Sequence, residues 1–284
     1  MSATPDFLSR DSFVERDARA RVQALVDDGR FRELIDPFER LVSPWLLRQG
    51  VVTQSDDGVV VARGEIDGQP AVVLAIEGAF QGGSLGEVGG AKIAGALELA
   101  AADNRRGVPT RALLVLETGG VRLQEANLGL AAIAEIHAAI VDLRRYQPVI
   151  GIIAGTVGCF GGMSIAAGLC SYLVMTREAR LGLNGPQVIE QEAGVAEYDS
   201  RDRPFIWGLT GGEQRYRTGL VDTYVDDDST ALRAAVIALF RRGRPAVERS
   251  QRCEQFLARL KRYDPAGQVT AEQVRQLLAE GAES

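Results

Sequence analysis

Leu113–Glu125 reads LLVLETGGVRLQE. Ala112 to Leu116 is unbroken apolar sequence, the pattern of a strand buried on both faces, and such strands belong to mostly parallel sheets. The run breaks at Thr118-Gly119-Gly120, and a helical spacing then continues through Leu123, Leu128, Leu130, Ile133 and Ile136. A strand, a double glycine and a helix start place several unpaired backbone N–H groups at one point, with the positive end of the helix dipole behind them. Glycine also leaves the main chain open to a ligand's approach. The expected occupant is an anion, or an oxygen that becomes one during a reaction.

The same device recurs downstream. Val149–Ala154 (VIGIIA) is a second buried strand, and Gly155-Thr156-Val157-Gly158-Cys159-Phe160-Gly161-Gly162 turns it into the small-residue helix MSIAAG. Two such units can aim two N–H donors at one oxygen, the layout of an oxyanion hole for a thioester enolate. The amides of Gly119, Gly120, Gly161 and Gly162 are the candidate donors. The alternative is that both are simply tight turns between strand and helix.

Composition excludes several classes. At 284 residues, 46% hydrophobic and 25% charged, the chain resembles an ordinary soluble globular protein with room for one large or two modest domains. A net charge of −6 argues against a nucleic-acid-binding face. Three cysteines, Cys159, Cys170 and Cys253, share no repeated spacing and suit a reducing, cytoplasmic compartment. MSATPDFLSRDSF has neither the basic nor the apolar region of a secretory signal. Tyr146–Thr176 lacks charge and is long enough to span a membrane, but Gly155, Gly158, Gly161 and Gly162 make a poor helix interior. A strand, a turn and a small-residue helix account for it better.

Residues 1–50 read as a helical N-terminal arm. Ser12 and Glu15 form a capping box ahead of Val22, Leu25 and Val26, Gly29 ends the helix, and Pro37 and Pro44 limit any helix after it to short pieces. Val59–Glu65 and Ala71–Glu77 form a hairpin around Asp67-Gly68, and a helix rich in small residues runs to about Asn104. Residues 51–228 are the expected main domain. Residues 229–284 read as C-terminal helices packed on the same body, the last capped by Thr270 and Gln273 after the Asp264–Gly267 break. Arg105, Arg106 and Arg111 are either a solvated turn or contacts for phosphates. His137, the only histidine, stands mid-helix without a nucleophile beside it. No metal-ligand cluster and no Walker-type loop is visible in the sequence.

Three segments resemble the carboxyltransferase β subunit of bacterial acetyl-CoA carboxylase. They are TGGVRLQEANLGLAAIAEIHAAI (118–140), matching its SGGARMQEG signature, QGGSLGEVGGAKIAGALELAAADN (81–104) and LGLNGPQVIEQ (181–191). That subunit carries a four-cysteine zinc ribbon, for which this chain lacks the cysteines. NGPQVIEQEAGVAEYDSRDRPFIWGLTGGEQRY (184–216) is similar instead to the β subunits of biotin-independent malonate decarboxylases.

The resemblance implies an α/β crotonase-like ββα superhelix with helical extensions. It implies a carboxy-lyase acting on malonyl-S-acyl carrier protein, with Gly82, Gly83, Ser84, Val121, Arg122 and Phe160 lining the acyl-thioester pocket. The implied partners are a γ subunit across the active site, an acyl carrier protein with a CoA-like phosphopantetheine arm, and a transferase subunit that loads it. No nucleic acid, membrane, metal, biotin or cofactor bound by this chain is expected. A biotin-dependent carboxyltransferase subunit and a non-catalytic crotonase-fold scaffold are the alternatives.

Overall fold

The computed structural model describes residues 10–263 and 270–279. Its strands are β1 Phe31–Leu34, β2 Val59–Ile66, β3 Gln69–Ile76, β4 Arg111–Val115, β5 Val149–Ile153, β6 Tyr172–Thr176 and β7 Thr223–Val225. Its helices are α1 Ala18–Leu25, α2 Pro44–Arg48, α3 Glu87–Arg105, α4 Asn127–Leu143, α5 Gly162–Leu169 and α6 Pro186–Ala193. They continue with α7 Arg203–Thr210, α8 Gly212–Arg217, α9 Ser229–Arg242, α10 Cys253–Leu260 and α11 Ala271–Ala279.

The strands form one sheet in chain order. β1, β2 and β3 pair antiparallel, the β2–β3 hairpin turning at Asp67-Gly68 with Ile66 opposite Gln69. From β3 to β7 every pairing is parallel. Alternation along β4 sends Leu114 to a core shared with α3, α4 and α5, and Leu113 to a second core shared with α1 and α9. Both leucines are fully buried, each stabilising the fold by about 1.5–3 kcal/mol.

Beyond the ends of the main strands runs a second ladder, reduced to single bridges: Leu85 with Val121, Thr118 with Cys159, and Cys159 with Leu181. Each unit is therefore a strand, a short bridge strand and a helix, which is the ββα repeat. Because β4 and β5 are neighbours (Leu114 opposite Gly151), the loops after them reach the same bridge ladder side by side.

Several expectations change. The expected division at residue 50 has no counterpart in these contacts: β1 is zipped to β2, and Phe13, Ala18, Val22, Leu25 and Val26 are core residues. Arg21 on α1 is buried and ion-paired with Glu117, just beyond β4. The helix cap is Asp17, which accepts from Ala20 N–H, while Ser12 donates to Asp227. After β6, Arg180 and Leu181 make single bridges to Gly211 and Cys159. Gly211 joins α7 to α8. Thr270 and Gln273 do exchange hydrogen bonds at the start of α11, and the Asp264–Gly267 break lies outside the described residues. No helix among the described residues is long and apolar enough to cross a membrane.

Candidate active site

The two glycine turns meet. A methyl group added to Gly161 would stand 3.2 Å from the Gly120 Cα and 3.8 Å from the Val121 nitrogen, and one added to Gly120 would stand 3.1 Å from the Gly161 Cα. Gly120 has φ of +106° and Gly161 has φ of +60° with ψ of −146°, conformations that disfavour any side chain. The backbone is thus bare on both sides of the junction. Gly82 joins the same surface, its carbonyl accepting from Gly119 N–H at 2.9 Å. Ser84 folds back onto the Gln81 carbonyl.

Most of the expected donors are already engaged. Gly119 N–H donates to Gly82, Gly120 N–H to the Thr118 hydroxyl at 3.0 Å, and Gly161 N–H to the Leu183 carbonyl at 2.7 Å. These bonds brace the turns. The N–H groups of Val121, Gly162 and Met163 have no acceptor among the described residues.

The reason lies in the local path of the chain. After Gly120 the backbone does not enter α4 directly. Val121 bridges to Leu85, Leu123–Glu125 forms a 3₁₀ turn, and α4 begins only at Asn127 after Ala126 at φ +49°. The Leu85 bridge uses Gly120 C=O and Arg122 N–H, so strand alternation turns Val121 N–H the other way. The second unit does run from Gly161 straight into α5, whose first amides carry the positive end of the helix dipole.

Arg122, expected to line the pocket, is turned into the protein interior. It is fully buried, with Nη1 2.6 Å from Asp57 and 2.9 Å from Glu125, and Nη2 donating to the Ser84 carbonyl at 2.8 Å. Its guanidinium also faces the Phe80 ring at 5.0 Å. It clamps the Ser84 loop to the Val121 segment from beneath. Burial, aided by the Glu125 charge and opposed by Arg122, pushes the Asp57 carboxyl above its ordinary range. The Val121 side chain packs against the core, so its amide is what remains available. The Phe160 ring is buried and flanked by Arg180, with the ring and guanidinium carbon 5.5 Å apart.

His137 is tied to the second turn, its Nε2 2.8 Å from the Gly162 carbonyl. Burial raises the thiol pKa values of Cys159 and Cys170, that of Cys170 to about 12, which keeps both uncharged and unreactive at neutral pH. No group of three histidine, cysteine, aspartate or glutamate residues able to hold a metal ion occurs among the described residues. Among the described residues the junction offers neutral hydrogen-bond donors, which suits stabilisation of an oxyanion.

Several known proteins resemble this chain over most of its length. A subunit in the crystal structure of a Pseudomonas malonate decarboxylase hetero-tetramer in complex with malonate is 72% identical. It superposes with a TM-score of 0.93 over 95% of this chain and 98% of its own. A chain of a Pseudomonas malonate decarboxylase hetero-dimer is 64% identical, with a TM-score of 0.77 over 91% of this chain and all of that one. A malonyl-S-ACP:biotin-protein carboxyltransferase of Malonomonas rubra is 38% identical over 255 residues, 86% of this chain and 80% of the relative. The carboxyl transferase domain itself matches residues 15–278. With nearly the whole chain inside that match and the bare glycine junction at its centre, this protein belongs to the carboxyl transferase domain family.

Proposed function

We infer that this chain is the acyl-thioester-binding subunit of a malonate decarboxylase complex, converting malonyl-S-acyl carrier protein to the acetyl thioester and CO₂. The observation that carries the reading is the pair of facing turns that leaves Val121 N–H on one side and the Gly162 and Met163 N–H groups on the other. Loss of CO₂ from a malonyl thioester breaks the Cα–carboxylate bond and leaves an enolate whose negative charge sits on the thioester oxygen, until a proton delivered to Cα gives the acetyl thioester. Amides aimed at that oxygen bind the charge as it develops, each contributing about 3–4 kcal/mol, or 10²–10³ in rate. The step needs no general base, in keeping with a site built from backbone.

The crotonase-like frame supports the function through rigidity. The donors sit on two adjacent ββα units whose strands are hydrogen-bonded neighbours, so their separation is set by sheet geometry. The hetero-tetramer and hetero-dimer of the two Pseudomonas relatives support a partner subunit here as well. In this reading a γ subunit completes the site, a transferase subunit loads the phosphopantetheine arm of the carrier protein, and the complex works in the cytoplasm. No cofactor is held by this chain.

The name of the Malonomonas relative favours a second reading, in which the carboxyl group passes to a biotin protein. One assay separates the two: CO₂ release from malonyl thioester by the purified complex, with and without avidin. Release unaffected by avidin supports the decarboxylase. Release abolished by avidin establishes the biotin-dependent reaction instead, and no turnover of malonyl thioester by the assembled complex refutes both.

A further inference from the structure

Glu117 lies two residues beyond β4 and two before the first glycine turn. Its side chain is buried where the loops of three neighbouring strands converge, and three glycines are bare against it. A methyl group added to Gly155 would collide with the Glu117 carboxyl, and one added to Gly83 with its carbonyl oxygen. One added to Gly78 would stand 2.7 Å from its Cγ. The loops after β3, β4 and β5 therefore pack on this one residue.

The two carboxylate oxygens have different partners. Oε1 accepts from the Val157 N–H at 3.3 Å, in the loop that carries the second turn, and Oε2 pairs with the buried Arg21 of α1. The main chain of Thr118 continues the same seam. Its N–H donates to the Gly158 carbonyl at 2.8 Å, and its carbonyl accepts from the Phe160 N–H at 3.0 Å. The second loop is thus fixed to the first at Val157, Gly158 and Phe160, immediately before Gly161 and Gly162. Arg21 supplies the counter-charge, its remaining donors going to the Phe13 and Val14 carbonyls.

Stability alone does not call for an ion pair here. Packed apolar side chains of similar volume are often as stabilising, because desolvation of two charges offsets their attraction. What the carboxylate adds, and an apolar side chain lacks, is an acceptor at a fixed height for the second loop. Preorganised donors are sensitive to that height, since a displacement of about 1 Å can cost 10²-fold in rate.

We propose that Glu117 is a positioning residue, whose carboxylate sets the second glycine turn against the first so that the Val121 amide and the first amides of α5 converge on one oxyanion. The identity of that oxyanion rests on the thioester reading above.

Four variants separate position from stability. In Glu117→Gln one amide oxygen faces two donors, Val157 N–H and Arg21, so kcat for malonyl thioester in the assembled complex is expected to fall by about tenfold to a hundredfold with KM little changed. Arg21→Met keeps the carboxylate on Val157 and is expected to lose stability while kcat stays near that of wild type. The double variant frees the amide oxygen for Val157 and is expected to regain much of the lost kcat while still melting low. An α-hydroxy acid incorporated at 157 removes only the N–H, leaves the Glu117–Arg21 pair whole, and should lower kcat with little change in melting. Amide hydrogen exchange over residues 158–163 of the full chain reads the same link without turnover. Relative to the amides of β4, it should quicken in Glu117→Gln and in the 157 ester but not in Arg21→Met. Folded variants whose kcat simply follows the melting temperature, or which change neither kcat nor exchange, would overturn the positioning role. A wild-type complex that does not turn over malonyl thioester would overturn the thioester reading, and the exchange measurement then decides the Glu117 link by itself.

Discussion

Replacing Arg122 with methionine isolates the clamp beneath the first glycine turn. Methionine fills much of the volume and keeps the contact with Phe80, but removes the cation from between Asp57 and Glu125. Both carboxylates are then buried without a counter-charge, and the Ser84 carbonyl loses its donor. Breaking a buried pair on one side costs about 3–5 kcal/mol. For 284 residues the unfolding entropy near the midpoint is about 0.6 kcal/mol/K, so the melting temperature is expected to fall by about 5–8 °C. Adding Asp57→Asn and Glu125→Gln should recover part of the loss, since neutral amides no longer demand a cation. The KM for malonyl thioester, measured on the fraction that remains folded and assembled, should change little, because the Arg122 side chain is fully buried among Asp57, Glu125 and the Ser84 carbonyl. Thermal unfolding of the single and triple variants with steady-state kinetics checks this. An Arg122→Met protein that melts like wild type and has a greatly raised KM would refute the reasoning and make Arg122 a substrate contact.

Other perturbations act on the same contacts. Arg21→Met should lower stability by about 3–5 kcal/mol by leaving Glu117 buried and unpaired, read by urea unfolding; an unchanged midpoint would make the N-terminal segment a dispensable arm. Gly161→Ala places a methyl group 3.2 Å from the Gly120 Cα at φ +60°, and the resulting shift of the second turn should reduce kcat by about 10²-fold in complexes that still assemble, against near-normal kcat if the turn is only a connection. Since burial raises the Asp57 pKa from its ordinary 3.8, the folded protein holds that proton more tightly than the unfolded chain does. The stability contributed by Asp57 is therefore lost as pH rises from below 3.8 through the raised value. The unfolding free energy of wild type minus that of Asp57→Asn should shrink across that window, and a growing difference would mean that Arg122 dominates instead.

Much of this architecture is legible in residue patterns. The apolar runs at Ala112–Leu116 and Val149–Ala154 are the strands expected of them, and the hairpin turns at Asp67-Gly68 as expected. The meeting of the two glycine turns follows from their loops leaving neighbouring parallel strands and joining one bridge ladder, Thr118 with Cys159. The donors themselves are not legible. A bridge of one residue pair, Leu85 with Val121, has no periodicity to read, yet it decides which amide faces outward. Likewise the hydroxyl of Thr118 and the carbonyl of Leu183 consume the amides of Gly120 and Gly161 through contacts that sequence spacing does not encode. Arg122 is placed in the pocket by the family resemblance, whereas its burial depends on Asp57, 65 residues away. The same holds for α1: its apolar spacing predicts a helix, but its place in the core depends on Arg21 meeting Glu117, 96 residues on.

The central claim is that the amides of Val121 and α5's first turn, rather than those of Gly120 and Gly161, hold the enolate oxygen. It is tested most directly by removing single N–H groups without touching side chains, through α-hydroxy acids incorporated at 121, 162 or 120. The measurement is kcat for malonyl-thioester decarboxylation by each assembled complex, alongside its melting temperature. The esters at 121 and 162 are expected to lower kcat by about 10²–10³ with little change in melting. The ester at 120, where the N–H serves Thr118, should affect melting and leave kcat nearly intact. A complex whose kcat survives at 121 and 162 but collapses at 120 would contradict the assignment.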